Sequence, residues 1–385
     1  MRVRPLIGRL LMVFLLPASV LWLAQRPGLV QQLDAAIYDR MLRLAAHEPA
    51  PDILIIAVDE RSLRELGRWP WPRTVHARLL EQLAPAQPSA VLLDVFLTEP
   101  SADPREDDRL AQAMGRLPVY LPLLYTAPSA DSAGFLPPLP QFVERARGLG
   151  HSNLVLDADG VSRALHLREG PAGHLQPYVG ALIAGGGAPS AALPAAAQPA
   201  GAWLRQAPLR LSFAGPRGSY ATVSYVSALR GEVPAELLRG KRLLIGATAP
   251  GLGDQVATPS AAGAGVLPGV EVHANAIDTL RHGHEVSVLG SGVYAAWVVL
   301  SLWLALWLLI RLPRHALLVT VLMVLASLAI SVAAMALHRR WLPPAAPVLG
   351  LLALYLLWSW YWLEWQFHYL RQRAAALGGV RAGAF

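Results

Sequence analysis

Three apolar runs close to the C-terminus constrain this chain more than any other feature. Gly292–Ile310, Ala316–Leu337 and Ala345–Leu363 hold no Asp, Glu, Lys or Arg, and each approaches the roughly 20 residues a helix needs to cross a bilayer. Helices that are apolar on every side are buried in protein or in lipid, so a lipid bilayer is the first partner the sequence predicts. A fourth stretch, Leu6–Ala24, is interrupted by Arg9 and Pro17. It reads as an uncleaved anchor, because Trp22 stands where signal-peptide cleavage needs a small residue; a cleaved signal peptide is the alternative.

Composition narrows the class further. Only 15% of the 385 residues are charged, against roughly a quarter in a soluble domain, and 54% are hydrophobic. A purely soluble enzyme, a coiled coil and a disordered tail are excluded. With no cysteine, disulfides, thiolate catalysis and Cys-ligated zinc are excluded as well. The net charge of +7 invites a nucleic-acid reading, yet residues 26–291 carry 22 Arg and one Lys against 25 acidic residues. The basic surplus lies beside the apolar runs, where it sets topology, so no nucleic-acid partner is predicted. Arg2, Arg4 and Arg9, then Arg311 and Arg314, then Arg371, Arg373 and Arg381 mark cytoplasmic sides. Residues 25–291 then lie outside and both termini inside, with Arg339 and Arg340 as the exception to the rule. Trp358, Trp360, Tyr361, Trp362 and Trp365 read as an interfacial aromatic belt.

The chain thus divides into a cytoplasmic start and anchor (1–24), an extracytoplasmic domain (25–291), three transmembrane helices (292–363) and a short cytoplasmic tail (364–385). Within the domain, Ile53–Val58, Ala90–Val95 and Val119–Leu123 are buried-strand patterns separated by helical spacing over Thr74–Leu83 and Asp107–Gly115. That alternation predicts an α/β fold with a largely parallel sheet. Phe142–Arg147 reads as a short helix, Asn153–Leu156 and Ala164–Leu167 as a hairpin, and Ala184–Ala202 as a surface insertion. Leu209–Phe213, Val223–Ser227 and Arg242–Ala247 resume regular structure, and Gly269–Leu280 is the last helix of the domain. Beyond the fourth span, Glu364–Leu377 extends the helix and Gly378-Gly379 ends it, leaving a stripe of Trp365, Tyr369 and Gln372 for a partner helix or for anionic lipid.

Five ordered strings carry a family resemblance: VDERSLRELGRWPWPRTVHARLLEQL (58–83), LLDVFLTEP (92–100), LGHSNLVLDADGVSR (149–163), GKRLLIGATAPGLGD (240–254) and LPGVEVHANAIDTL (267–280). Together they resemble the CHASE sensory domain of type 2, the cyclase- and histidine-kinase-associated sensory extracellular domain. The resemblance runs from about Asp34 to about Leu280 and is followed, as in the family, by three closing transmembrane helices. It implies an extracytoplasmic sensor in a bacterial inner (plasma) membrane, relaying an unknown signal to a histidine kinase, nucleotide cyclase or Ser/Thr kinase. Family members continue into that output domain, whereas this sequence ends 22 residues after the fourth span. A signalling enzyme acting in trans and a truncated chain both fit.

Several groups are candidates for ligand contact. Asp59 and Asp94 stand at the C-terminal ends of predicted parallel strands, where α/β proteins bind ligands; as neighbours they would suit a cation or a polar ligand. Against that, each could cap a helix or pair with an arginine such as Arg73. Trp71 belongs to a Trp-Pro-Trp-Pro-Arg loop that fits either a lid or a structural plug. Asp157 and Asp159 open a D-x-D-G sequence like the start of a calcium loop, but the later glutamate is missing, and a turn closed by Arg163 explains it as well. Glu271, His273 and Asn275 are spaced by two, which shares a face on a strand but not on a helix. With Asp254 they make a conceivable metal or ligand group. No nucleophile elbow, dinucleotide or phosphate loop is present, so neither cofactor nor catalytic role is predicted. The resulting expectation is a non-enzymatic sensor, possible as a homodimer, with an envelope enzyme working through Asp59 and Asp94, or a passive scaffold, as alternatives.

Overall fold

Six apolar residues in a row, Ile53–Val58 (β1), are all buried, as a strand covered on both faces requires. In the computed structural model, which describes residues 11–26, 28–126, 134–185, 203–260 and 266–382, β1 lies inside a seven-stranded sheet. Its members are Ala90–Leu93 (β2), Val119–Tyr125 (β3), Phe135–Leu136 (β4), Gly148–His151 (β5), Thr222–Ser224 (β10) and Arg242–Ala247 (β11). The order is β10-β1-β11-β2-β3, with β5 on β3; all these pairings are parallel, and only β4 joins β3 antiparallel. A second sheet is antiparallel: Val155–Leu156 (β6), Ser162–Pro171 (β7), Gln176–Pro177 (β8) and Trp203–Arg210 (β9). The α/β expectation with a largely parallel sheet holds.

Side-chain alternation sorts the core. Leu54, Ile56, Val58, Val91, Leu93, Leu243 and Ile245 point to one face, where they meet Leu79, Leu80 and Leu83 of helix Arg73–Leu83 and Leu110 of helix Pro104–Met114. The opposite face is covered by helix Gly269–His282, which packs on β11 and β1, and by helix Val179–Ala184. A Cβ at Gly246 of β11 would collide with Val270, so glycine is what lets the long helix approach this closely.

Local details depart from the periodicity. Val223–Ser227 is not one element: a strand ends at Ser224 and a helix, Tyr225–Leu229, begins at once. The Ala/Pro/Gly-rich insertion falls almost wholly on residues 186–202, outside the described residues. Leu29–Leu44 is a helix that the sequence left unassigned. Its apolar positions Leu29, Val30, Leu33, Ile37, Met41 and Leu44 do recur at helical spacing.

The fold divides into two compact units, Leu42–Val286 and the flanking Met1–Met41 with Ser287–Phe385. In the second unit, three helices among the described residues are long and apolar enough to cross a membrane: Ser291–Arg311, Ala316–His338 with the turn before it, and Ala345–Ala382. Met12–Ala24 and Leu29–Leu44 reach that threshold only as a pair bent by 65°. Val298, Leu302, Leu309, Val319, Leu351 and Leu354 make the inner core, while Trp303, Trp307, Leu318, Leu322 and Leu356 face outward. The backbone N–H of Ala345 donates to Asp34 Oδ1 (2.8 Å), so the start of the last helix is capped from a distant segment. That helix does not stop at Gly378-Gly379; it continues to Ala382, since glycine inside a helix weakens it without breaking it.

Candidate functional site

The strands of the parallel sheet end along one edge, and the connections there diverge. After β2 the chain turns to the face of helices Arg73–Leu83 and Pro104–Met114; after β11 it turns to the face of helix Gly269–His282. Such a reversal between neighbouring strands opens a crevice at the carboxyl edge, the usual ligand position in an open α/β sheet. Asp94 follows β2 and Asp254 lies in the loop after β11.

Around this point four side chains converge. The His273 Nε2 lies 3.8 Å from Asp94 Oδ2, and the Tyr178 hydroxyl lies 2.5 Å from His273 Nδ1. Burial pushes the Tyr178 hydroxyl well above its ordinary range, so it keeps its proton beside Nδ1. Burial also pulls His273 down to about 4, so the ring is neutral, with Nε2 on the side of Asp94. Asp94, whose side chain is only 12% exposed, is pushed up to about 6 by burial. Asp254 is raised to about 6 as well, by burial first and then by the charge of Asp94. Its carboxylate presses against Gly269 at the start of the long helix, where any Cβ would collide with it. Nearby, His151 at the end of β5 is fully buried, with its ring centroid 5.7 Å from that of Tyr178, and neither ring nitrogen has a hydrogen-bond partner among the described residues. Two carboxylates held near neutrality beside neutral imidazoles suit a cationic or hydrogen-bond-donating ligand.

The other residues singled out by sequence go elsewhere. Asp59 does not neighbour Asp94, because β11 lies between β1 and β2. It is the N-cap of helix Glu60–Leu66, accepting from Ser62 N (2.8 Å), Ser62 Oγ (2.6 Å) and Ser224 Oγ (2.9 Å). Arg73 pairs with buried Asp107 (3.4 Å) and donates to the Glu99 carbonyl, leaving neither aspartate of the edge as its partner. Trp71 is no lid: it is 3% exposed inside the core, its indole N–H donating to the Gly67 carbonyl at 3.0 Å. Asp157 and Asp159 both bind Arg163, at 2.8 and 2.7 Å, around a turn in which Gly160 has φ +76°, so the pair closes a turn and offers no calcium loop. Helix Gly269–His282 separates Glu271 and Asn275 from His273. Glu271 accepts from Gly218 N (3.0 Å) and Asn275 from Ala214 N (2.8 Å), so both hold the loop before β10.

Tyr178 and His151 carry no sequence signal of their own, since each comes to the edge through long-range pairing. A signal for the helix was present: Glu271, Asn275, Asp278 and His282 recur at i, i+4, i+7 and i+11, a polar stripe on an otherwise buried helix.

A protein-family model described as the CHASE2 domain matches residues 11–343. The chain belongs to the CHASE2 domain family. CHASE2 is a sensory domain family and not a catalytic one, in keeping with an input role. Searches of curated proteins and of solved structures returned no match. The CHASE2 match takes in every strand of the main sheet, and with them Asp94, Asp254 and His273.

Proposed function

We propose that this CHASE2 protein is a membrane-bound input module in which the carboxyl edge of the sheet detects an extracytoplasmic cue and helix Gly269–His282 passes the result on. The observation that carries this is the position of His273: it contacts Asp94 and Tyr178, and its helix, which ends at His282, is joined by residues 283–290 to the helix that starts at Ser291. A ligand shifts such a module only by favouring one state over another, and a cation bound between Asp94 and Asp254 would favour the state with both carboxylates ionised. The output enzyme is a histidine kinase, nucleotide cyclase or Ser/Thr kinase, in trans or joined to the tail. Four spans, with both termini in the cytoplasm of a bacterial inner membrane, are the topology that the arginine distribution supports.

The opposite edge of the sheet supports a second ligand chemistry. An open cleft of about 560 Å³ is lined there by Arg116, Arg145, Arg147 and Arg242, which suits an anionic cue, although Arg242 already pairs with Asp52 at 2.7 Å. Co-purification from native membranes tests the main reading. The expected outcome is a complex with a signalling enzyme that survives Asp94→Asn and Asp254→Asn but loses its regulation. Turnover of an isolated envelope substrate that these substitutions abolish would favour an anchored enzyme instead. Reporter fusions at Gly28, Ser190, Pro313 and Gly379 test topology, with outside activity expected at the first two only.

A further inference from the structure

Away from the carboxyl edge, at the far end of the same helix, three histidines gather round one carboxylate. His47, Asp278 and His284 place one nitrogen or oxygen each within 4.8 Å of one another, the one such group among the described residues. His47 Nε2 is 3.3 Å from Asp278 Oδ2, which is about the separation of two ligands on a tetrahedral ion with bonds of about 2.0–2.1 Å. The His47 and His284 rings stack with centroids 4.4 Å apart, and His282 Nδ1 lies 2.7 Å from Asp278 Oδ1. Asp278 is 1% exposed.

The supporting contacts are those that orient metal ligands. Ser212 Oγ is 3.4 Å from His47 Nδ1, which directs the other nitrogen, Nε2, at Asp278. Asp278 Oδ2 is fixed by Ala50 N (3.0 Å) and the Tyr220 hydroxyl (2.9 Å). A plain hydrogen-bond hub accounts for Ala50 and Tyr220, but it gives no reason for two stacked imidazoles beside one buried carboxylate. We infer that His47, Asp278 and His284 form a binding site for a divalent ion of the zinc class, with His282 holding the other oxygen of Asp278. Two imidazoles and one carboxylate suit zinc better than calcium or magnesium, which take oxygen ligands. His47 lies just after the chain enters the Leu42–Val286 unit and His284 just before it leaves, so the ion would fasten the incoming and outgoing segments to each other. The site does not depend on the sensory reading.

Calorimetric titration of zinc chloride into the untagged, chelator-stripped full-length protein in detergent tests this. One saturable site per chain is expected, together with a rise in Tm on adding zinc. His284→Ala, at a half-buried position, is expected to fold, to lose at least about tenfold in affinity and to lose the zinc-dependent rise in Tm. His47→Ala should do the same, and if it fails to fold, His284→Ala decides alone. Absence of a saturable site in the wild type, or an affinity unchanged by His284→Ala, would overturn the assignment.

Discussion

The hydroxyl of Tyr178 lies 2.5 Å from His273 Nδ1, joining a residue between two short elements to one on helix Gly269–His282. The contact holds the imidazole with Nε2 toward Asp94. Tyr178→Phe keeps the ring and removes the hydroxyl. Leaving a buried nitrogen without its partner should cost about 1–3 kcal/mol, read as a lower Tm in thermal unfolding.

Asp94 gives a pH signature whose sign is fixed. Its pKa in the folded state is about 6 against an ordinary 3.8, so between those values the folded chain holds more protons than the unfolded chain. The contribution of Asp94 to stability is therefore greatest in acid and is lost as pH rises through about 6. Asp94→Asn removes this dependence. Relative to wild type, the variant should gain about 2–3 kcal/mol between pH 4 and 7, measured by denaturant unfolding at each pH.

Asp59 and Asp94 should behave as opposites. Asp59→Ala deletes a helix cap and the acceptor shared by Ser62 and Ser224, at a cost of about 0.5–2 kcal/mol, while leaving output regulation intact. Asp94→Asn should leave the fold intact and abolish regulation. Parallel unfolding curves and output assays separate the two.

Much of this fold was legible in the sequence because buried parallel strands write themselves as apolar runs. ILIIAV at 53–58 is strand on any reading, and Asp59 and Asp94 were rightly placed at strand ends. Strand order was not legible: β11 arrives from more than 140 residues downstream and wedges between β1 and β2, which is what parts the two aspartates. Tyr178 and His151 escaped for the same reason, since only tertiary pairing brings them to His273. Asp278 was within reach, one step further along the stripe that begins at Glu271.

The D-x-D-G turn should be indifferent to calcium. Arg163 is 3% exposed and satisfies both Asp157 and Asp159, and its hydrogen bond holds the Asp159 carboxyl below its ordinary range. Millimolar calcium should leave Tm unchanged. Asp159→Asn should lower unfolding stability by about 0.5–1 kcal/mol, the carboxylate being partly exposed.

The most direct test of sensing at the carboxyl edge uses protons as the probe, because they set the ionisation of Asp94 and Asp254, for which a bound cation would compete. Right-side-out membrane vesicles carrying the full chain and its co-purifying enzyme are titrated with external pH while output activity is followed at constant internal pH. An inflection near pH 6 that disappears in Asp94→Asn/Asp254→Asn is the expected result. A flat profile in the wild type, or the same inflection in the double variant, would refute the coupling of this edge to the membrane helices.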